Sequence, residues 1–235
     1  MKVFLAGATG AIGRRLVILL RRAGHDVVGT TRSETKAAAL QALGAVPALV
    51  DVYDADRLKL AVYAVHPDVV IHQLTDLPQV IDPKTLPAAL EANARLRIAG
   101  TRNLVDAALA VGVRRMVAQS IAFAYAPGEG TLTEEHPIAP AQTGVIALEN
   151  AVTKTQGIDG LVLRYGRLYG PGTWSATASG AAPLHVDAAA NAAFLAMTKG
   201  APGIYNVAED DGAVSSEKAK REFGFDAAFR IAEAP

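Results

Sequence analysis

Gly7, Gly10 and Gly13 follow the apolar run Val3-Phe4-Leu5-Ala6 at regular spacing and lead into the helix-patterned Leu16, Leu19 and Leu20. Glycines placed between a strand and a helix in this way suit one chemistry, the approach of bare backbone to a dinucleotide pyrophosphate. Gly7 permits the tight turn, Gly10 removes the side chain where phosphates approach, and Gly13 lets the helix pack close on the strand. The helix N-terminus offers N–H donors and a positive dipole end, and Thr9, Ala11 and Ile12 complete the loop.

The next chemical signal concerns which dinucleotide. Folds selective for NAD place a carboxylate at the end of the second strand, on the ribose 2′-hydroxyl. Here that strand ends Gly29-Thr30-Thr31-Arg32-Ser33, with no carboxylate before Glu34. Arg32 stands where it can pair with a 2′-phosphate, Thr31 and Ser33 can add neutral donors, and Arg14 and Arg15 add positive charge nearby. NADP(H) is therefore expected over NAD(H). Asp51, at the end of the third strand, can reach an adenine amino group or serve as a turn residue beside Asp54.

These residues need an alternating scaffold, and the chain supplies one. Strands are expected at Lys2–Ala6, Asp26–Thr31, Val46–Val50, Asp68–His72, Val113–Gln119, Leu161–Tyr165 and Gly203–Val207. Helices are expected at Ile12–Ala23, from a Ser33 cap to Leu43, from an Asp54 cap to Val65, and over Leu86–Val111, Ala141–Gln156, Val186–Lys199 and Ser216–Phe223. Runs such as Val69-Val70-Ile71 are continuously apolar, as in a parallel sheet covered on both faces. The fold class is α/β, a doubly wound parallel sheet of Rossmann type, forming one domain over residues 1–235. Residues 126–144 and 170–183, rich in Gly, Pro, Ser and Thr, are expected as surface loops over the carboxyl ends of the strands.

Composition narrows the partners. Lys+Arg and Asp+Glu are both 23, so the formal charge is zero, which argues against nucleic-acid or anionic-membrane binding. There is no cysteine, and the five histidines lack zinc-motif spacing, so no metal is expected. No apolar run reaches the roughly 18 residues that span a bilayer. The expected protein is soluble and cytoplasmic, with a small-molecule substrate.

The residues resemble the extended short-chain dehydrogenases/reductases of the NAD-dependent epimerase/dehydratase group over most of the chain. Gly24-His25-Asp26-Val27 matches the lead into strand two, and Asp51-Val52-Tyr53-Asp54 its turn after strand three. His72-Gln73-Leu74-Thr75 stands where the family has a cofactor-passing loop. Asn93 with Gly100-Thr101-Arg102-Asn103-Leu104, Leu163-Arg164-Tyr165-Gly166-Arg167-Leu168-Tyr169-Gly170-Pro171-Gly172 and His185-Val186-Asp187 follow in family order. The resemblance implies that Val52, Gln73, Leu74, Thr75, Gln119, Tyr165 and Gly166 border the cofactor. It also marks the Leu86–Val111 and Ala141–Gln156 helices as a homodimer surface.

The departures bear on chemistry. The family's Tyr-x-x-x-Lys pair uses a lysine to lower a tyrosine pKa so that the tyrosine transfers a proton. Anchored on Glu149, that pair falls at Ala141 and Val145, and residues 139–147 hold neither Tyr nor Lys. After strand five the chain reads Gln119-Ser120-Ile121, with Ile121 at the position most often catalytic in the family. Ser120 and Tyr125 are the catalytic candidates that remain, Tyr125 being either an acid or a packing residue. Asp187 is expected as a helix cap with His185 packed beside it, and Glu134, Glu135 and His136 as a solvated loop. Trp174 either stacks on substrate or covers apolar surface. The stretch from Gly172 to His185 is short, so residues 170–235 are expected to hold a reduced substrate-binding part. Two readings follow: an NAD(P)-dependent oxidoreductase or epimerase-like enzyme acting on a small carbonyl or alcohol without the usual acid–base pair, or a non-catalytic NADP(H)-binding sensor or interaction protein.

Overall fold

The computed structural model describes residues 1–78 and 80–232. Seven parallel strands form its main sheet in the order β3-β2-β1-β4-β5-β6-β9. These are β1 (Lys2–Ala6), β2 (Asp26–Thr31), β3 (Val46–Leu49), β4 (Val69–His72), β5 (Arg115–Ile121), β6 (Asp159–Tyr165) and β9 (Gly203–Val207). β1 is hydrogen-bonded to β2 on one side and β4 on the other. The winding direction reverses between β1 and β4, which opens a crevice at their carboxyl ends where ligands of such sheets bind.

The helices cover both faces. α1 (Ala11–Arg22), α2 (Glu34–Ala42) and α7 (Val186–Ala196) lie with one apolar cluster, while α3 (Ala55–Val65), α5 (Thr101–Ala110) and α6 (Thr143–Thr153) lie with the other. α7 buries Ala188, Ala189, Ala190, Ala192, Ala193 and Ala196. Side chains this small let it lie close against α1, and Arg15 on α1 reaches Asp187 on α7 at 2.5 Å.

Several expectations need correction. The helix expected over Leu86–Val111 is three pieces: α4 (Leu86–Arg95), a π-helical turn at Leu96–Gly100, and α5. The inserted π turn rewinds the helix without breaking it. Asp187 is not the cap of α7. His185 holds that position and accepts the Asp187 N–H on Nδ1 at 3.2 Å, which frees the Asp187 carboxylate for Arg15 and the Ile231 N–H. Two three-residue strands, β7 (Arg167–Tyr169) and β8 (Pro183–His185), bracket the loop at 170–182 and pair in parallel. The expected last strand and last helix are present, as β9 in the main sheet and α8 (Glu217–Phe223).

Among the described residues no helix is long and apolar enough to cross a membrane, and no group of His, Asp and Glu could hold a metal.

Candidate active site

The three loop glycines do different things. Gly7 has φ +89°, and a side chain there would overlap the Gln73 carbonyl; one at Gly13 would overlap the Gly7 carbonyl. Both are required by the close approach of β1, α1 and β4 to one another. Gly10 has an ordinary φ of −75° and stands exposed as the cap of α1. A methyl group there would meet only the Gly7 oxygen, at 3.4 Å. The fold therefore does not need a glycine at 10, and its bareness leaves room above the helix end. α1 has no side-chain cap and no acidic residue in its first turn. Its leading N–H groups, beside Thr9, Ala11 and Ile12, are thus open to an incoming anion, and this cradle fits a dinucleotide pyrophosphate.

At the exits of β2 and β3, Arg32, Leu49, Val50, Asp51, Asp54 and Arg57 line a shallow hollow. Arg32 is mostly exposed and pairs loosely with Asp76 at 3.4 Å. Thr31 Oγ1 accepts the Ser33 N–H at 3.2 Å, and Ser33 Oγ caps α2 through the Lys36 N–H. Asp51 accepts the Tyr53 N–H at 3.0 Å, and Asp54 caps α3. The neighbouring Val52 is buried against Gly100. Arg57, which the sequence did not single out, joins Arg32 because it lies in the first turn of α3, the helix that follows β3.

The third part of the site lies at the ends of β4, β5 and β6. His72 is fully buried. The Leu74 N–H donates to its Nδ1 at 3.2 Å, so Nε2 carries the proton and donates to Thr101 Oγ1 at 2.9 Å. Burial, and secondarily the Arg97 charge, push its pKa down to about 3. Gln119 donates to the Leu74 carbonyl at 3.0 Å, which ties β5 to this loop, and Thr75 is exposed on it. Gln73 donates to the Tyr165 hydroxyl at 3.3 Å, while its own Oε1 is buried with no donor among the described residues. Tyr165 is a core residue with only its hydroxyl directed to Gln73, and burial raises its pKa. Gly166 is packed tightly against the Ala182 carbonyl, where any side chain would overlap.

Ser120 and Tyr125 belong to one buried network. Ser120 Oγ donates to Glu149 at 2.8 Å. Glu149 holds Arg164 at two points, 2.9 and 2.7 Å, with both side chains almost wholly buried. Arg164 in turn donates to the Tyr125 hydroxyl at 2.9 Å, and that hydroxyl donates to Asn206 at 2.6 Å. Burial raises the Tyr125 pKa against the opposing pull of Arg164, so the phenol stays protonated near neutrality. Glu134 is not simply solvated: its carboxylate accepts the Asn206 N–H at 2.7 Å and joins the network's edge. Val145 is buried on the same face of α6 as Glu149, one turn earlier, and α6 carries neither Tyr nor Lys. His136 Nδ1 accepts the Thr133 N–H at 3.0 Å. Trp174 is half exposed and donates to the Pro78 carbonyl at 2.8 Å, which links the loops that follow β4 and β7.

This strand order, glycine cradle and β4–β6 floor define a dinucleotide-binding sheet of the short-chain dehydrogenase/reductase type. The chain belongs to the NAD dependent epimerase/dehydratase family, whose model matches residues 3–184. A 3-diazoavenalumate denitrifying reductase from a Streptomyces species is 39% identical over 246 aligned residues, covering 92% of this chain and 79% of that protein. Among solved structures, the UDP-glucose 4-epimerase of Thermotoga maritima matches with a TM-score of 0.80 at 16% identity, covering 98% of this chain and 94% of that one. The Bordetella bronchiseptica enzyme WbmG, solved with NAD, matches with a TM-score of 0.76 at 19% identity, covering 98% and 90%.

Proposed function

We propose that this protein is an NADPH-dependent reductase whose substrate accepts a hydride without needing a proton from the protein. The observation that carries this reading is the state of the candidate proton donors. Ala141 and Val145 stand where the family's pair is expected. The Ser120 and Tyr125 hydroxyls are both donated internally, to Glu149 and Asn206. A carbonyl acceptor needs a proton on its oxygen as the hydride arrives, and that proton would have to come from water. An aryl diazonium carbon does not: the hydride forms a C–H bond, the C–N bond breaks, and its electron pair leaves with N₂. The similarity to a denitrifying reductase supports this class of acceptor.

In this reading the bound nicotinamide supplies the hydride, and the chain's residues hold and orient. The α1 N-terminus takes the pyrophosphate. Arg32 takes the 2′-phosphate, releasing its loose contact with Asp76, and Arg57 adds charge to the same hollow. Ser120, Glu149, Arg164 and Tyr125 form a rigid floor that fixes the ends of β5 and β6. The test is NADPH consumption with N₂ release when an aryl diazo compound is added to the purified protein. Tight NADPH binding with neither diazo nor carbonyl turnover would instead indicate a dinucleotide-binding protein without catalysis.

A further inference from the structure

Arg97 is not used by the fold or by the cofactor reading above. It is partly buried on the π-helical turn, and among the described residues its side chain makes no hydrogen bond or ion pair. Its neighbours on the same side of the helix show which way it points. Asn93, one turn earlier, accepts the Asp76 N–H at 2.9 Å from the loop after β4. Thr101, one turn later, touches His72 at the end of β4. Arg97 lies between them, and helical side chains lean toward the helix N-terminus, here toward that loop. His72 and Glu149 both feel its charge. His72 is held neutral. Glu149 is the carboxylate whose charge reaches Arg97, and it is already engaged at two points by Arg164.

A partly buried cation without a partner is costly, and the planar guanidinium fork is shaped for a carboxylate. We propose that Arg97 is a substrate-recognising residue that binds a carboxylate on the small molecule reduced in this cleft. Trp174 and Phe123 are both about half exposed on loops leaving the same end of the sheet; Arg167 already lies over the Phe123 ring at 4.6 Å, and the Trp174 ring suits an aromatic carboxylate. This inference deepens the reductase reading and rests on it for the identity of the cleft.

The test titrates cinnamate and its neutral analogue cinnamamide into the NADPH-loaded wild type and Arg97→Ala, alongside NADPH affinity for each protein. The expected result is at least tenfold tighter binding of cinnamate than of cinnamamide in the wild type. Arg97→Ala should abolish that preference and leave NADPH affinity unchanged. Equal binding of the two probes, no binding of either to a protein that binds NADPH, or a preference that survives the substitution would overturn the proposal. So would a loss confined to NADPH affinity, which would place Arg97 on the cofactor. If NADPH does not bind at all, the reductase reading fails, and the same probe comparison on the cofactor-free protein still decides the role of Arg97. Arg97→Gln repeats the measurement if the alanine variant does not fold.

Discussion

Glu149 on α6 and Arg164 on β6 meet in a two-point ion pair, at 2.9 and 2.7 Å, with both side chains nearly inaccessible to water. The same carboxylate receives Ser120, and the same guanidinium supports Tyr125. One pair thus fixes both residues that the sequence offered as catalysts.

Breaking that pair leaves a buried charge, so Glu149→Ala should cost about 3–5 kcal/mol of stability in urea unfolding. The double variant Glu149→Leu/Arg164→Met, which removes both charges, should lose less than the sum of the single substitutions. Strict additivity would show that the two groups do not depend on each other.

The glycine loop separates folding from binding. A Cβ at Gly10 meets only the Gly7 oxygen, at 3.4 Å, so Gly10→Val should shift the thermal midpoint far less than Gly13→Ala while NADPH affinity falls at least ~10-fold. Gly13→Ala pushes against the Gly7 carbonyl and should destabilise by about 1–3 kcal/mol. Equal stability loss in the two variants would remove the distinction drawn between these glycines.

Arg32→Ala tests the cofactor choice. A charge-assisted contact is worth about 1.5–3 kcal/mol, so NADPH affinity should fall ~10- to 100-fold while NADH affinity barely changes. A parallel loss for both cofactors would assign Arg32 another role. Arg57→Ala should give a smaller shift of the same kind.

His72 gives the fold an acid sensitivity. Its pKa is about 3 in the folded chain and ordinarily 6.5, so only the unfolded state takes up the proton between those values. Stability from this group is complete above pH 6.5 and declines as pH falls toward 3, by up to ~1.4 kcal/mol per pH unit. His72→Asn should be less stable near neutrality and show a flatter decline in urea midpoint from pH 6.5 to 4. An unchanged slope would mean that other groups govern the acid limb.

How far the sequence could be read follows from the range of each interaction. The glycine loop, the strands and the Ser33 and Asp54 caps are local, and their residue types carry them. The π turn was invisible because Leu86–Val111 keeps its apolar pattern through it. β7 and β8 are too short for a periodic signal. The Ser120–Glu149–Arg164–Tyr125–Asn206 network joins residues brought together by the pairing of β5, β6 and β9 and by the packing of α6 and the loop after β5 on them, so the candidates Ser120 and Tyr125 were legible but their partners were not. Arg97 gave no signal at all, because an arginine on an amphipathic helix is ordinarily a solvated one.

The account rests on direct hydride delivery from NADPH, and isotope tracing tests it most closely. The protein would be incubated with nicotinamide-4-deuterated NADPH and an aryl diazo carboxylate in ordinary water, and the reduced arene analysed by mass spectrometry. The prediction is one deuterium at the carbon that lost N₂, delivered from a single face of the nicotinamide. Hydrogen derived from solvent at that carbon, or product formed no faster than without protein, would contradict it.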